Sequence, residues 1–373
     1  MTVQRVLLSI NVRWWNAEAA YALNVAEGLM QKGKEAWVIV NKESPVHQKA
    51  LDKGIPVVTD LDLDSRSLRC QLNNLKKLIL FIDSNKIDLI NSFKSNGALL
   101  FTILRKLRPR LIYIKTRGEA RPPKNHPINR YLYGPNGCNG IIASGEIISN
   151  WLKDLKLGNQ QIRTIYYGAK SLNVQREKQD YMFREEFGID ENKIVLALLG
   201  RTQPIKGHLL LLETLNQLKE LPIHILFLVK DLNEFPEENR KIQEYISTHN
   251  LSNKVTTLGF RDDLSEILGI VDIGIIPSLG SEVNCRVAVE FFSMGIPIVA
   301  FPTGTLPEII DHKKNGYICD QKSSKSLSDG INWMFINDFK KLNRFSKDKY
   351  LQCYTLDKLT EETLSFYEAC LHS

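Results

Sequence analysis

Two basic residues stand between an apolar strand and a helix in the second half of the sequence. The strand pattern KIVLALLG ends at Gly200, Arg201 and Lys206 follow it, and an apolar helical pattern begins after Gly207. A helix N-terminus attracts anions through its free N–H groups and its dipole, and two nearby cations add direct charge. The pattern predicts an anion site suited to a diphosphate on this turn. A solvated loop with two surface cations is the alternative.

Two carboxylates, Glu282 and Glu290, follow the strand pattern VDIGII within the segment 277–310. They stand eight positions apart, slightly more than two helical turns, so a helix would bring both side chains onto nearly the same face. A carboxylate accepts two hydrogen bonds from vicinal hydroxyls, which suits a ribose or a hexose. The spacing favours recognition of two sugar rings. A helix with two exposed acids is the alternative interpretation.

The loop that follows the strand pattern LIYI, in the first half of the chain, is rich in basic residues. Lys115, Arg117, Arg121 and Lys124 fall within ten residues, and a Pro-Pro pair stiffens the loop. This is more positive charge than solubility of a loop requires, so we expect an anionic partner here. The alternative is a structural loop in which Glu119 pairs with an arginine.

A consecutive tryptophan pair, Trp14 and Trp15, follows the first strand pattern. A single tryptophan is usually largely buried. Two neighbours in an extended segment point in opposite directions and cannot both enter one core. One of the two is therefore expected to line a cleft and to stack on a sugar ring.

The segment 100–110, LFTILRKLRPR, is apolar on one side and basic at its end. This pattern favours a helix that packs on a sheet and exposes a solvated basic tip. Peripheral attachment to an anionic membrane is the second hypothesis, because cations beside apolar side chains bind such surfaces.

Composition and charge limit the class of protein. The chain has 373 residues, of which 43% are hydrophobic and 24% charged, as expected for a globular protein of two α/β domains. Residues 1–168 hold 25 Lys and Arg against 13 Asp and Glu, whereas residues 169–373 hold 24 against 29. The two halves therefore suit different partners. No nucleic-acid-binding motif accompanies the basic half, so nucleic acid is not expected as a partner.

Cysteines, histidines and apolar runs exclude further classes. The six cysteines occur without CxxC pairs and the seven histidines are dispersed, so we expect reduced thiols and no metal site. The sequence starts directly in a strand pattern, and no run of eighteen apolar residues occurs. Neither a secretory leader nor a spanning helix is therefore expected, and the predicted location is cytoplasmic.

Strand and helix patterns alternate along the whole chain, as is typical of parallel sheets built from βαβ units. We predict an α/β fold of two Rossmann-like doubly wound domains that face each other across a cleft. The first domain is expected over 1–170 and the second over 171–350, with a linker near 168–180 and a last helix in 351–373. Ligands of such sheets bind beyond the carboxyl ends of the strands, so the motifs should converge there.

The motifs together resemble the donor site of the family 4 retaining glycosyltransferases of GT-B architecture. The resemblance rests on GR…KG at 200–207, on Glu282 and Glu290, and on GTLPEII at 304–310, which match in order, spacing and strand–turn–helix context. It covers nearly the whole chain, including the last helix, whose counterpart in relatives crosses back to the first domain. The implied activity is metal-independent transfer of a sugar from a nucleoside-diphosphate-sugar, with retention of configuration.

The resemblance implies roles for four side chains of the donor site. Arg201 and Lys206 would hold the diphosphate and stabilise the leaving group as negative charge develops. Glu290 would accept hydrogen bonds from the ribose, and Glu282 would hold the transferred sugar near its reacting face. The other donor-side candidates are Phe260 and Arg261, whose backbone would lie against the base, and the three residues Asn284, Cys285 and Arg286.

The sequence departs from the commoner family pattern in two places. Many relatives follow the first acid with Gly-Phe-Gly, whereas this chain has Val-Asn-Cys-Arg, and many place a histidine near the donor sugar where this chain has Arg117 and Glu119. These two residues join Glu282 as catalytic candidates. The acceptor-side candidates are Trp14, Trp15, Arg121 and Lys124.

The expected function is transfer of a hexose-type sugar to a cell-envelope glycan or glycolipid. The RWWNA and TRGEARPP segments resemble a bacterial branch of the family linked to lipopolysaccharide. No cofactor is expected besides the nucleotide-sugar co-substrate, and contact with an anionic membrane at the inner face of the plasma membrane is a further expected partnership. The alternatives are a same-fold nucleotide-sugar enzyme such as an epimerase, and a non-catalytic nucleotide-sugar-binding protein. A dehydrogenase is excluded because no GxGxxG follows the first strand.

Overall fold

The computed structural model describes residues 2–172 and 176–371. The chain forms two compact units, and each has its own parallel sheet. Unit 1 consists of residues 1–169 and 353–373, and unit 2 consists of residues 170–352.

Unit 1 is built on a seven-stranded sheet in the order β3-β2-β1-β4-β5-β6-β7. All pairings are parallel, and the direction of progression reverses between β1 and β4. Such a reversal opens a crevice beyond the carboxyl ends of the two strands, where ligands of doubly wound sheets bind. The strands, from β1 to β7, are Arg5–Ser9, Glu35–Ile39, Val57–Val58, Leu89–Ser92, Ile112–Arg117, Gly140–Ala143 and Gln161–Thr164.

Six helices alternate with the strands within the described residues 2–169 of unit 1. The first begins where the side chain of Asn16 accepts a hydrogen bond from the Ala19 amide at 2.9 Å, and it stops before Gly33, whose φ of +74° suits a helix end. This cap places the start of the helix at the carboxyl edge of the sheet. The helices, from α1 to α6, are Ala17–Gln31, Pro45–Asp52, Leu68–Asn85, Ala98–Leu107, Pro127–Tyr133 and Glu146–Lys153.

Unit 2 repeats the architecture with a six-stranded parallel sheet in the order β10-β9-β8-β11-β12-β13. Its progression reverses between β8 and β11. Apolar side chains such as Phe227 and Phe301 form the core between the sheet and its helices. The strands, from β8 to β13, are Ile194–Leu199, Ile223–Leu228, Val255–Leu258, Ile273–Ile276, Ile298–Ala300 and Gly316–Ile318.

The helices of unit 2 alternate with its strands. The loop after β8 contains one 3₁₀ turn, Pro204–Lys206, before the next helix begins. The helices, from α7 to α14, are Arg176–Phe187, His208–Leu215, Pro236–Thr248, Leu264–Ile267, Arg286–Ser293, Leu306–Ile309, Ser324–Ile336 and Leu342–Cys353.

The last helix, α15 (Leu356–Leu371), belongs to unit 1 and packs against α1. A Cβ at Gly28 of α1 would lie 1.9 Å from the hydroxyl of Thr360, so the glycine permits this close approach. Tyr367 is fully buried, and its hydroxyl accepts a hydrogen bond from the Asn91 side chain at 2.6 Å. The predicted packing of the last helix on the first domain is confirmed.

The predicted fold class of two doubly wound α/β domains is confirmed. Two helices were not predicted: α2, which has only eight residues, and α7. The linker predicted at 168–180 is partly wrong, because α7 starts at Arg176, and its portion 173–175 lies outside the described residues.

Candidate functional site

An ion pair lies at the strand reversal of unit 2. Lys206 ends the loop after β8, Glu282 lies in the loop after β11, and the ammonium of Lys206 contacts Oε1 of Glu282. The hydroxyl of Ser278 donates to the same carboxylate oxygen at 2.7 Å. The two charged side chains are only 21% and 10% exposed, so solvent screens their attraction weakly. The structure therefore brings together the predicted cation and the predicted sugar-binding acid at the edge where ligands bind.

The loop that carries Glu282 is held by its backbone. Thr305 donates its amide to the carbonyl of Glu282 at 2.8 Å. Gly304 has φ +58°, and a Cβ there would lie 1.7 Å from the same carbonyl oxygen. Only a glycine allows this approach without displacing the loop. The GTLPEII motif thus positions Glu282 by contact, whether or not it also touches a ligand.

Glu282 does not share a helix with Glu290, so the expected placement of both acids on one helical face is wrong. Cys285 has φ +43°, a left-handed conformation that cannot continue a helix, and α11 begins only at Arg286. The first acid therefore lies in the loop ahead of the helix. Only the second lies on it.

Glu290 has one carboxylate oxygen committed and one available. Its Oε1 lies 3.4 Å from Nε of Arg286, one turn earlier on α11. Its Oε2 is buried and has no hydrogen-bond partner within the described part of the chain. A buried carboxylate oxygen without a partner carries a desolvation cost that a hydroxyl donor would relieve.

The two loops that carry Lys206 and Glu282 are joined to each other. Leu279 donates its amide to the carbonyl of Ile205 at 2.8 Å. Gly207 has φ +78°, and a Cβ there would lie 2.3 Å from the Pro277 carbonyl oxygen. The glycine of the KG motif therefore lets the start of α8 approach the end of β11.

Arg201 lies apart from this pair in the ligand-free chain. Its Nη1 donates to Oε1 of Glu234 at 2.8 Å, and its guanidinium lies 5.8 Å from the ring centroid of Phe235. The side chain is 43% exposed. Of the two predicted diphosphate ligands, the structure places only Lys206 beside Glu282.

The remaining donor-side candidates differ in their surroundings. Phe260 is 68% exposed, whereas Arg261 donates two hydrogen bonds to Asp263 and one to Glu186, which together raise the pKa of its guanidinium. The side chain of Arg261 is thus committed within the unit.

Two candidates in the 282–286 loop are buried. Burial raises the pKa of the Cys285 thiol, which lies 2.9 Å from the hydroxyl of Thr305, so this cysteine stays protonated and packs the loop. The Asn284 side chain is 4% exposed, and its Oδ1 has no hydrogen-bond partner among the described residues.

In unit 1, Arg117 ends β5 and is 6% exposed. Its guanidinium donates to the Tyr133 hydroxyl at 2.8 Å and to the Arg121 carbonyl at 2.6 Å, and it lies 3.0 Å from Oε2 of Glu119. The alternative in which Glu119 pairs with an arginine is the arrangement found. The side chains of Arg121 and Lys124 are exposed.

The two tryptophans after β1 have different environments. Trp14 is 61% exposed, whereas Trp15 is half-buried and lies beneath the ammonium of Lys49, 5.1 Å from its ring centroid. Of these two rings, the one that is exposed and available for stacking is that of Trp14.

The sequence profile of the family described as "Glycosyl transferases group 1" matches residues 181–352, which lie within unit 2 and contain both acids and both cations of the site. This part of the chain is similar to the group 1 glycosyl transferases.

Curated proteins that resemble the chain include glycosyltransferases. A lipopolysaccharide 1,2-N-acetylglucosaminetransferase of Salmonella typhimurium is 30% identical over 207 residues, which are 53% of each protein. The chain spans about half the length of the curated relatives it matches.

Two solved structures share the fold over nearly their whole length. A glycosyltransferase from Rickettsia africae has a TM-score of 0.88 at 19% identity, over 100% of this chain and 99% of that one. Anabaena HepE, in complex with UDP and glucose, has a TM-score of 0.80 at 18% identity, over 98% and 100%. At these identities the comparison establishes the fold.

One ion pair in unit 1 was not predicted from the sequence. Lys94, just after β4, contacts Oε2 of Glu18 in the first turn of α1. The other oxygen of Glu18 is buried without a hydrogen-bond partner in the described residues, and burial raises the pKa of this carboxyl despite the lysine. Both residues follow the strands that flank the reversal in unit 1. The positions of the two residues, after β1 and just after β4, could have predicted that they lie close together.

No helix among residues 2–172 and 176–371 is long and apolar enough to cross a bilayer. Over the same residues, no group of three His, Cys, Asp or Glu side chains could hold a metal ion.

Proposed function

We propose that the chain is a retaining glycosyltransferase that moves a hexose-type sugar from a nucleoside-diphosphate-sugar to a cell-envelope glycan or glycolipid, without a divalent metal. The observation that carries the proposal is the Lys206–Glu282 ion pair at the strand reversal of unit 2, with Glu290 nearby in sequence on α11. Lys206 can bind a diphosphate, and the carboxylates of Glu282 and Glu290 can each accept hydrogen bonds from sugar hydroxyls.

Donor binding in this proposal replaces the internal ion pair. The ammonium of Lys206 turns to the diphosphate, and Oε1 of Glu282 becomes free to accept from a hydroxyl of the transferred sugar. The unpartnered Oε2 of Glu290 accepts from the ribose. Arg201 has donors beyond the one given to Glu234, and these serve the diphosphate. The backbone at Phe260 and Arg261 lies against the base.

Transfer in this proposal is driven by stabilisation of charge on the leaving nucleoside diphosphate. Lys206 and the N-terminus of α8 supply positive charge where negative charge develops, which is the role a metal ion has in other transferases. Arg117 and Glu119 of unit 1 act near the reacting face of the sugar. Asn284 and Arg286 contribute to the donor side, while Cys285 packs the loop.

Acceptor binding is assigned to unit 1. Trp14 is an exposed aromatic surface for a sugar ring, and Arg121 and Lys124 offer exposed cations to an anionic acceptor. A cell-envelope acceptor is supported by the similarity to the Salmonella lipopolysaccharide transferase. It is supported further by the basic charge of the first half of the chain.

Two alternatives share the same site and are separated by their products. An epimerase would change the sugar without releasing free nucleotide, and a non-catalytic binder would be stabilised by the donor without turnover. The full chain is incubated with UDP-, GDP-, ADP- and CMP-sugars, and both the melting temperature and the release of nucleoside diphosphate are measured. The proposal expects one donor to raise the melting temperature and to release its nucleoside diphosphate.

A variant pair tests the ribose assignment in the same assay. Glu290→Gln should weaken binding of the selected donor about tenfold or more, because a hydrogen bond to a charged group contributes about 1.5–3 kcal/mol. Glu213→Gln, an exposed acid on α8, is the matched control and should leave binding unchanged. Equal affinities for Glu290→Gln and wild type would remove Glu290 from the donor site.

A further inference from the structure

Three neighbouring helices of unit 1 form one side of its sheet. Helix α3 packs against α4, and α4 packs against α5. The first two are joined near both ends: the side chain of Asn96 donates to Asp64 near their starts, and Arg108 donates two hydrogen bonds to Asp83 near their ends, at 2.9 and 2.6 Å. We call the exposed surface of these three helices the α3–α5 face.

The α3–α5 face exposes large apolar side chains. On α3, Leu68, Leu72, Lys76 and Leu80 follow one another at four-residue spacing, so they lie along one stripe. The opposite side of this helix is buried through residues such as Leu78. The exposed apolar members of the face are Leu68 (75% exposed), Leu72, Leu80 (67%), Leu99 (61%), Leu107 and Ile128 (61%).

The same face is basic, because α3, α4 and α5 together hold six Lys and Arg residues and one acid, Asp83. Residues 66–130 hold 15 Lys and Arg but only 3 Asp and Glu, so this segment accounts for the basic excess of the first half of the chain. All three acids are engaged: Asp83 with Arg108, Asp88 with the backbone amides of Gln4 and Arg5, and Glu119 with Arg117.

Three cations on the face lack acidic partners. Arg69 and Lys76 on α3 and Arg130 on α5 are exposed and make no ion pair within the described residues. Lys106 lies over the ring of Tyr131, 5.1 Å from its centroid.

We propose that the α3–α5 face binds the surface of a bilayer that contains anionic lipids. Exposed leucines beside unpaired cations match the two layers of such a surface, since the apolar side chains enter the acyl boundary while the cations meet the headgroups. Charge complementarity favours an anionic bilayer, because the face has excess positive charge and no unpaired acid among its described residues. The inference is independent of the proposed transfer reaction, because lipid binding is measured without donor or acceptor.

The experiment is flotation of the full chain with two kinds of vesicle, one of phosphatidylcholine alone and one with about one-third phosphatidylglycerol. The chain should float with the anionic vesicles and remain behind with the neutral ones, and the bound fraction should fall as salt rises. Each cation near an anionic surface changes partitioning about fivefold. Arg69→Gln/Lys76→Gln should therefore lower binding at least tenfold.

Substitutions of the leucines test the apolar part separately. Leu72→Ser/Leu80→Ser should also lower binding at least tenfold, since each leucine loses its transfer into the acyl boundary. The matched control is Ile336→Ser/Lys340→Gln in unit 2, which removes an 83% exposed apolar side chain and an exposed cation outside the face. The control should bind like wild type, and unchanged circular dichroism and melting temperature would confirm that all variants are folded.

Three outcomes overturn the proposal. The first is equal binding to neutral and anionic vesicles. The second is wild-type binding by both face variants. The third is a concentration-dependent dimer that Leu72→Ser/Leu80→Ser abolishes, with no vesicle binding, because this result assigns the face to a second copy of the chain.

Discussion

The ammonium of Lys206 contacts the carboxylate of Glu282 across the strand reversal of unit 2, and the hydroxyl of Ser278 donates to the same carboxylate oxygen at 2.7 Å. Both charges are thus neutralised in the ligand-free chain. A diphosphate that takes the ammonium leaves a carboxylate oxygen free for a sugar hydroxyl. We infer that this single exchange of partners prepares Lys206 to bind the diphosphate and Glu282 to bind the sugar of a nucleotide-sugar.

The placement of Glu282 should depend on Gly304. Gly304→Ala adds a Cβ 1.7 Å from the Glu282 carbonyl oxygen, so the loop must move and donor affinity should fall at least tenfold. Gly188→Ala is the control, because it also has a positive φ, +64°, but nothing lies within 4 Å of its added Cβ. Both variants lose about 1 kcal/mol of stability from backbone strain. Titration with the selected donor decides the point, and equal affinities for the two variants would show that the contact does not position the acid.

Turnover should not require a divalent metal. Lys206 and the start of α8 neutralise the leaving group in the proposed mechanism, so a chelator should leave nucleotide release unchanged. The measurement is release of nucleoside diphosphate with excess EDTA and with magnesium. Activity that EDTA abolishes and magnesium restores would contradict the proposed electrostatics of the site.

The exposed cations of the 117–124 loop should serve the acceptor and leave donor binding intact. Arg121→Gln/Lys124→Gln should slow transfer while the affinity for donor alone is retained, and the defect should shrink at high salt, because exposed charges are screened over about 10 Å at 0.1 M. Arg117 is tested separately, since its guanidinium is buried and bonded to Tyr133 and Glu119. A folded pair variant that loses donor affinity would place the loop in the donor site.

The free energy of unfolding of unit 2 should decrease as the pH is lowered, because His208 is buried in its neutral form. This side chain lies buried in the first turn of α8 against Phe227, and burial, with a smaller contribution from Lys206, lowers its pKa to about 4. In the unfolded chain this histidine binds a proton near pH 6.5. The contribution of the neutral, buried side chain to the free energy of unfolding is therefore complete above pH 6.5 and is lost as the pH falls towards 4.

Chemical denaturation at pH 7 and pH 5 measures this effect. Between pH 7 and pH 5 the free energy of unfolding should decrease by about 2 kcal/mol more in the wild type than in His208→Leu. Each pH unit between the pKa values of His208 in the folded and unfolded chain contributes about 1.4 kcal/mol. The leucine keeps an apolar contact with Phe227. An equal loss in both proteins would show that His208 titrates normally.

The fold was largely predictable because apolar strands and amphipathic helices alternate regularly. The pattern at 193–200 placed β8 within one residue of its observed bounds, Ile194–Leu199. Helix α7 escaped prediction because REKQDYMFREEF is polar on most positions and has no clear apolar stripe. Its stability comes from tertiary contacts, which a local pattern does not reveal.

The site was predictable in its residues and not in its geometry. Spacing identified Glu282 and Glu290, but the left-handed backbone at Ser281 and Cys285, both non-glycine residues, moved the first acid off the helix. Such conformations depend on tertiary contacts such as the one between Gly304 and Glu282. The pairing of Glu18 with Lys94 likewise depends on the strand order, which brings together residues 76 positions apart.

The most direct test of the donor site is calorimetric titration of the nucleoside diphosphate selected by thermal shift into wild type, Lys206→Ala and Lys219→Ala. Lys219 is an exposed lysine of the same unit and serves as the control. We predict at least tenfold weaker binding for Lys206→Ala, since a charge-assisted hydrogen bond contributes about 1.5–3 kcal/mol, and wild-type affinity for Lys219→Ala. Undiminished affinity in Lys206→Ala would contradict a donor diphosphate site at the strand reversal of unit 2.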